Sequence, residues 1–428
     1  MRKVVTLRKV ITFVIIAIIL NTYTFAFADD LSLDGQASIL MDFDTKEILY
    51  EKNMDMQLYP ASTTKIMTAI LAIENGNLSD VVTVDQESVN LTEGSHIALE
   101  PGEKLTLEQL LYALLVQSAN DSAYVIAKHI SGSHEAFVKL MNEKAKELGA
   151  KNTNFVNPNG LPEEEHKTTA HDLALISQYA MQNEVFRKFV NTVTYTIEPT
   201  NVKAEARYLR NTNKLLFSND TINVDGKQLP VKYEGASGIK TGTTSHAQNC
   251  LVSFVEKDNQ RLISVVLKAN GNNVYSDTHK LMDYGFNNFS NATIGYKNEF
   301  VDNIKVENGI QKFVAGILDN DFVYPLSSDN MGKIEEKTSL RENLAAPISK
   351  DDILGTKEYY LNGKMIGKAN IISTMDVGLD PATTLSHKIL SRWYLFVFAL
   401  LIVFRIVVLQ SRRKRRSRRH SYRMPYIN

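Results

Sequence analysis

A serine and a lysine stand three residues apart in the stretch Tyr59-Pro60-Ala61-Ser62-Thr63-Thr64-Lys65-Ile66-Met67. The spacing predicts a helix opening at this point, with Ile66, Ala69, Ile70 and Ile73 as its apolar stripe and Asn75-Gly76 as its end. Positions i and i+3 share one helix face, so the Ser62 hydroxyl and the Lys65 amine sit a turn apart. Ser62 also falls at the positive end of the helix, where a developing oxyanion gains from exposed N–H groups. A serine attacks poorly until a base takes its proton, and a lysine serves as that base once burial or nearby positive charge lowers its pKa. The same spacing recurs at Ser237–Lys240 and Ser411–Lys414, so alone it identifies nothing.

Two further elements follow in order: Ser118-x-Asn120, and Lys240-Thr241-Gly242 with Thr243 beyond it. The first has look-alikes at Ser88-Val-Asn90 and Ser328-Asp-Asn330; the second occurs once, on a predicted strand with small neighbours Gly238 and Gly242 that would let a substrate backbone lie close. Taken singly, Ser118 reads as a helix cap, Asn120 as a turn former and Lys240 as a solvated strand charge. His171-Asp172 invites a Ser-His-Asp reading, but adjacent helical residues do not face each other.

Placing these residues requires a scaffold. Residues 37–43 and 48–52 read as a β-hairpin leading to Ser62, and short strands are expected near 81–84 and 95–98. Thr106-Leu-Glu-Gln109 is a capping-box pattern opening a helix through Val116; a polar break at 117–121 precedes a second helix over 122–129. Helices over 135–148, 171–181 and 276–289, a turn at Asn157–Leu161, and a hairpin of 249–255 with 262–268 complete an α+β pattern of an antiparallel sheet covered by helices. From about residue 291 the texture becomes β-rich, with strands expected at 299–306, 310–317, 356–361 and 364–372.

The ends differ from this globular middle. Residues 1–28 carry four basic side chains, an apolar run and Ala26-Phe27-Ala28, the pattern of a secretory signal peptide. Near the other end, an apolar run from Trp393 to Leu409 precedes a tail rich in arginine. This predicts a transmembrane anchor over 391–410 and a basic cytoplasmic tail over 411–428, with Arg405 snorkelling to the inner face. The formal net charge of the 428 residues is zero, but the basic ends leave residues 29–390 with a net −14. An acidic exported domain is a poor nucleic-acid binder. The single cysteine, Cys250, excludes an intrachain disulfide and reads as a small buried hydrophobe.

The ordered set Ser62-x-x-Lys65, Ser118-x-Asn120 and Lys240-Thr241-Gly242 resembles the penicillin-binding protein and serine β-lactamase superfamily. Its flanks, including Asn157-Pro-Asn-Gly-Leu161 and Gly238-Ile-Lys-Thr-Gly242, look most like low-molecular-weight penicillin-binding proteins of the D-alanyl-D-alanine carboxypeptidase type. The resemblance implies a transpeptidase-like catalytic domain over 29–290, a β-rich second domain over 291–380 and no metal or other cofactor. It implies Ser62, Lys65 and Ser118 as catalytic residues, and Asn120, Lys240, Thr241, Gly242 and Thr243 as substrate-binding ones. The implied substrate is a peptidoglycan stem peptide ending in D-Ala-D-Ala, with β-lactams as mimics. An endopeptidase, a class A-like β-lactamase and a non-turning-over β-lactam sensor share the same motifs. Glu163, Glu164 and Glu165 do not form the β-lactamase E-x-x-L-N pattern, and a short basic tail offers a sensor no effector.

Overall fold

The computed structural model describes residues 31–383 and 385–420; the expected signal peptide lies outside them. The chain divides into two compact units at residues 290/291.

The first unit is built on a five-stranded antiparallel sheet of β1 (Ala37–Asp42), β2 (Ile48–Lys52), β3 (Ala236–Thr244), β4 (Gln248–Lys257) and β5 (Gln260–Ala269), in the order β2-β1-β5-β4-β3. Its alternation explains why both faces are covered. Ile39, Met41, Val252, Phe254, Ile263 and Val265 point into one core, while Leu40, Leu251, Val255, Leu262 and Val266 point into the other. The first face carries α1 (Lys65–Asn75), α2 (Leu107–Val116), α3 (Asn120–Ser131), α4 (His134–Glu147) and α5 (Ala170–Gln182); the second carries α6 (Asn273–Asn288).

α1 departs from the one-striped helix the sequence suggested. Every residue from Lys65 to Ala72 is buried, and it is a central core helix. Ser62 itself lies just before it, in a short 3-10 turn at Ala61–Thr64. The capping box at Thr106 and Gln109 forms as expected and starts α2. The stretch 95–98 is not a strand. The Asp121 carboxylate takes the backbone N–H groups of Ile97 and Leu99 at 3.1 and 3.0 Å, replacing the ladder bonds a strand would need. The strand that pairs with Val81–Thr83 is Lys104–Thr106 instead.

In the second unit, β6 (Phe300–Lys305), β7 (Phe313–Leu318), β8 (Ile334–Leu340), β9 (Ile353–Leu361) and β10 (Lys364–Ser373) form a second antiparallel sheet, ordered β6-β7-β10-β9-β8. β9 and β10 turn at Asn362-Gly363, both in the left-handed region. The final helix, α7 (Trp393–His420), contains the stretch Trp393–Arg415, whose most apolar 18-residue window has a mean hydropathy of 2.3 and which is long and apolar enough to cross a membrane.

Candidate active site

The 3-10 turn, the break between α2 and α3, the Asn157–Leu161 loop and strand β3 surround one amine. Lys65 is fully buried, and its Nζ has three oxygen neighbours: Ser62 Oγ at 2.9 Å, Asn120 Oδ1 at 2.6 Å and the Asn159 carbonyl at 2.8 Å. Burial drives its pKa well below the ordinary lysine value; the nearby charge of Lys240 lowers it further, and Asp121 partly opposes both. A neutral amine has two N–H donors and one lone pair. The two carbonyl oxygens can accept the two N–H groups, leaving the lone pair for the Ser62 hydroxyl proton.

Asn120 opens α3, with its N–H donating to the Ser95 carbonyl at 2.7 Å. Its amide is used at both ends: Oδ1 accepts from Lys65, and Nδ2 donates to the Glu93 carbonyl at 2.5 Å. The side chain expected to contact substrate thus also lies against Lys65 Nζ. Ser118 precedes it in the left-handed region, at φ 62°, so that the chain can turn between the two helices. Ser118 is 7% exposed, and no side-chain hydrogen bond joins it to Ser62, Lys65 or Lys240.

Lys240 is buried to 1% exposure on β3, and its Nζ donates to the Thr241 carbonyl at 3.0 Å. No carboxylate lies within ion-pair distance of it among the described residues. Burial therefore lowers its pKa to about 7. The Thr241 hydroxyl lies 2.6 Å from that of Thr212, and Thr243 Oγ1 donates to Asn249 Oδ1 at 3.1 Å. β3 is an edge strand of its sheet, so it can pair with an extended ligand. A side chain at Gly242 would meet the Ser62 nitrogen and the Pro60 carbonyl at 3.0 Å, so only glycine lets the strand come this close to the serine.

The structure thus gathers Ser62, Lys65 and Asn120 into one hydrogen-bonded group, with Gly242 against Ser62. The look-alikes go elsewhere. Ser88 bonds to Asp85, Ser328–Asn330 forms a 3-10 turn in the β-rich unit, and Ser411 lies on α7. His171 faces Asp55, whereas Asp172 takes Thr153 and the Asn152 N–H. Cys250 is buried on β4, where burial pushes its thiol up to about 12.

Several participants went unread in the sequence. The Asn159 carbonyl is the third neighbour of Lys65, yet Asn157–Leu161 read as a turn and as a flank of the family resemblance, with no contact to Lys65 assigned to it. Gly160 takes φ +88°, and a Cβ there would fall 1.8 Å from the Ala61 carbonyl oxygen. His166 is buried behind this loop. Its Nδ1 accepts from the Val156 N–H at 3.2 Å, which leaves Nε2–H to donate to Thr64 Oγ1 at 3.0 Å. Asn-Pro-Asn-Gly was the available signal, but it reports a turn and not what the turn touches.

A family model described as D-alanyl-D-alanine carboxypeptidase matches residues 24–271, and one described as penicillin-binding protein 5, C-terminal domain, matches residues 289–378. D-alanyl-D-alanine carboxypeptidase DacF of Bacillus subtilis is 32% identical over 406 residues, covering 91% of this chain and 100% of that protein. DacC of Escherichia coli is 31% identical over 361 residues, covering 80% and 84%. The crystal structure of penicillin binding protein 5 from Haemophilus influenzae superimposes with a TM-score of 0.66 at 28% identity, covering 81% of this chain and 98% of that one.

Proposed function

The chain belongs to the D-alanyl-D-alanine carboxypeptidase family of serine peptidases, and from that premise we propose that Ser62 is the nucleophile that removes the terminal D-Ala from peptidoglycan stem peptides. The observation that carries this reading is the contact between Lys65 Nζ and Ser62 Oγ, made by a buried amine whose pKa is strongly lowered.

Lys65 takes the Ser62 proton as Oγ attacks the carbonyl of the D-Ala-D-Ala bond. The N–H groups of Ser62 and Thr243 receive the developing oxyanion. The tetrahedral species collapses, the C–N bond breaks, and the proton held by Lys65 passes through Ser118 to the leaving amine. Water then cleaves the acyl-enzyme ester and frees Ser62. Lys240 supplies the counter-charge to the substrate's terminal carboxylate, helped by Thr241 and Thr243; a buried cation without a counter-ion is a natural carboxylate site. Its positive charge also helps keep Lys65 neutral. Gly242 allows the peptide-binding strand to approach Ser62.

The catalytic unit acts outside the cytoplasmic membrane. α7 spans the bilayer once, and the basic residues from Arg412 onward stay on the cytoplasmic side. A β-lactam presents a reactive amide and a carboxylate in the same relation, and it acylates the same serine.

Mass spectrometry of the purified chain after mixing with penicillin tests the assignment. One covalent adduct on the peptide containing Ser62 is expected, together with release of free D-Ala from a peptide ending in D-Ala-D-Ala. An adduct without D-Ala release would point to an endopeptidase or a sensor, and rapid penicillin hydrolysis to a β-lactamase.

A further inference from the structure

We propose that one face of the β-rich unit docks on the phospholipid surface where α7 enters the bilayer, an inference that rests on the reading of α7 as a membrane span. The sheet of this unit packs one face into a core, to which Ile304, Val314, Leu318, Leu354 and Ile371 contribute. Antiparallel sheets of this kind ordinarily turn polar side chains outward on the other face. Here the strand register places an apolar row there instead. Phe300 on β6 opposes Ile317 on β7, Ile317 opposes Ile372 on β10, and Ile372 opposes Ile353 on β9. Directly opposed residues share a face, so the row crosses four strands, about 14 Å. Phe313 and Ala315, at alternate positions before Ile317, continue it along β7. Phe300, Phe313 and Ile353 are 56%, 58% and 46% exposed. A contiguous apolar patch left open on a folded unit marks a contact surface.

The path of the chain and the charges around the row identify what covers it. The Asp380 N–H donates to the Asn308 carbonyl at 2.7 Å, and its carboxylate meets Lys312, the residue before Phe313, at 3.2 Å. The chain therefore leaves the sheet beside the Phe313 end of this face. Residues 381–392, which include the helix Leu385–Ser391, span at most about 30 Å before Trp393 opens α7. A cavity of about 540 Å³ lies on the same face, with Ile317 and Ile372 in its floor and Lys297, Lys350, Asp319 and Asp351 around them. Lys305 stands opposite Phe313. Lys297, Lys305 and Lys350 make no ion pair among the described residues. A phospholipid headgroup presents a phosphate and, in zwitterionic lipids, an ammonium group; lysines and aspartates set around apolar side chains answer both, with the lysine stems lying along the acyl boundary. Apolar surface on the scale of a single acyl chain holds a protein to a membrane only weakly and reversibly, so α7 remains the anchor and the face adds to it.

The test uses the full chain reconstituted in vesicles of phosphatidylethanolamine and phosphatidylglycerol. Cys250 is buried, so a thiol-directed fluorophore reports from Phe313→Cys or Ile353→Cys on the face, or from Tyr394→Cys at the start of α7. Lipids spin-labelled high on the acyl chain should quench the fluorophore at all three positions. The added pair Phe300→Glu/Ile317→Glu should abolish quenching at Phe313→Cys and leave it unchanged at Tyr394→Cys. The two face positions lie on different strands, so each reports independently if the other variant misfolds. Quenching at Tyr394→Cys alone overturns the docked face and leaves the span standing. So does quenching at Phe313→Cys that survives the two glutamates, since it would reflect only nearness to the anchor. A blue-shifted face label that the lipids do not quench means a protein cover, such as a second copy of this chain, and overturns the proposal as well. Quenching at none of the three positions overturns the membrane span and the docked face with it.

Discussion

On the proposed mechanism Lys65 activates Ser62, and its Nζ is held by three oxygen neighbours, Ser62 Oγ, Asn120 Oδ1 and the Asn159 carbonyl. Ser62→Ala should abolish penicillin acylation without unfolding the chain. Lys65→Ala should slow acylation by about 10²–10⁴-fold, the usual scale of a lost general base, measured as labelling by a fluorescent penicillin. Lys240 sets an alkaline limit. Burial holds it at about 7 in the free protein, so above that pH it loses the charge that attracts a carboxylate. The kcat/KM for a D-Ala-D-Ala peptide should fall as pH rises past about 7, with KM carrying the loss. Lys240→Arg, which stays protonated, should move that limb upward. At this scale the sequence was informative because side-chain chemistry is written in residue types: Ser62, Lys65, Asn120 and Lys240 could all be named in advance. The Asn159 carbonyl could not, since every residue has one and only the fold decides which faces Lys65.

The elements hold these atoms through close approaches that tolerate little substitution. Gly160 lies against the Ala61 carbonyl at positive φ. Gly160→Ala should therefore displace the Asn157–Leu161 loop, weaken its bond to Lys65 and slow acylation more than thermal unfolding alone would explain. His166 ties the same loop to the Thr64 hydroxyl. Burial lowers its pKa to about 4, against about 6.5 in an unfolded chain. A group depressed in the folded state stabilises fully above the unfolded value and loses that contribution as pH falls toward the folded one. Folding stability should thus drop by about 3 kcal/mol between pH 6.5 and 4 on account of this residue. Urea unfolding across that range should show a shallower slope for His166→Gln. Periodicity revealed most of the long helices and two of the hairpins of the main sheet, β1-β2 and β4-β5. It missed the helix Glu184–Val190 and the hairpin Thr221–Val224/Lys227–Pro230, which are short and lack a full period. It placed a strand at 95–98 because it could not see Asp121 taking those N–H groups.

Over the whole molecule, a serine peptidase unit and a β-rich unit precede an apolar helix. Removing residues 384–428 should release the protein from membranes into the soluble fraction with its penicillin labelling intact, as fractionation and gel labelling would show. Antiparallel character and helix cover were legible in the sequence through the order of strands and helices. The arrangement β2-β1-β5-β4-β3 was not, because pairing residues near 40 with residues near 264 depends on contacts that local pattern does not encode. That pairing closes the first unit and leaves β3 as the free edge near Ser62. The central claim is that Ser62, activated by Lys65, cleaves the terminal D-Ala. The most direct measurement is D-Ala released per minute from a stem peptide ending in D-Ala-D-Ala, for the full chain and for Ser62→Ala side by side. Sustained release by the first and none by the second is the predicted result; release that survives the substitution would contradict it.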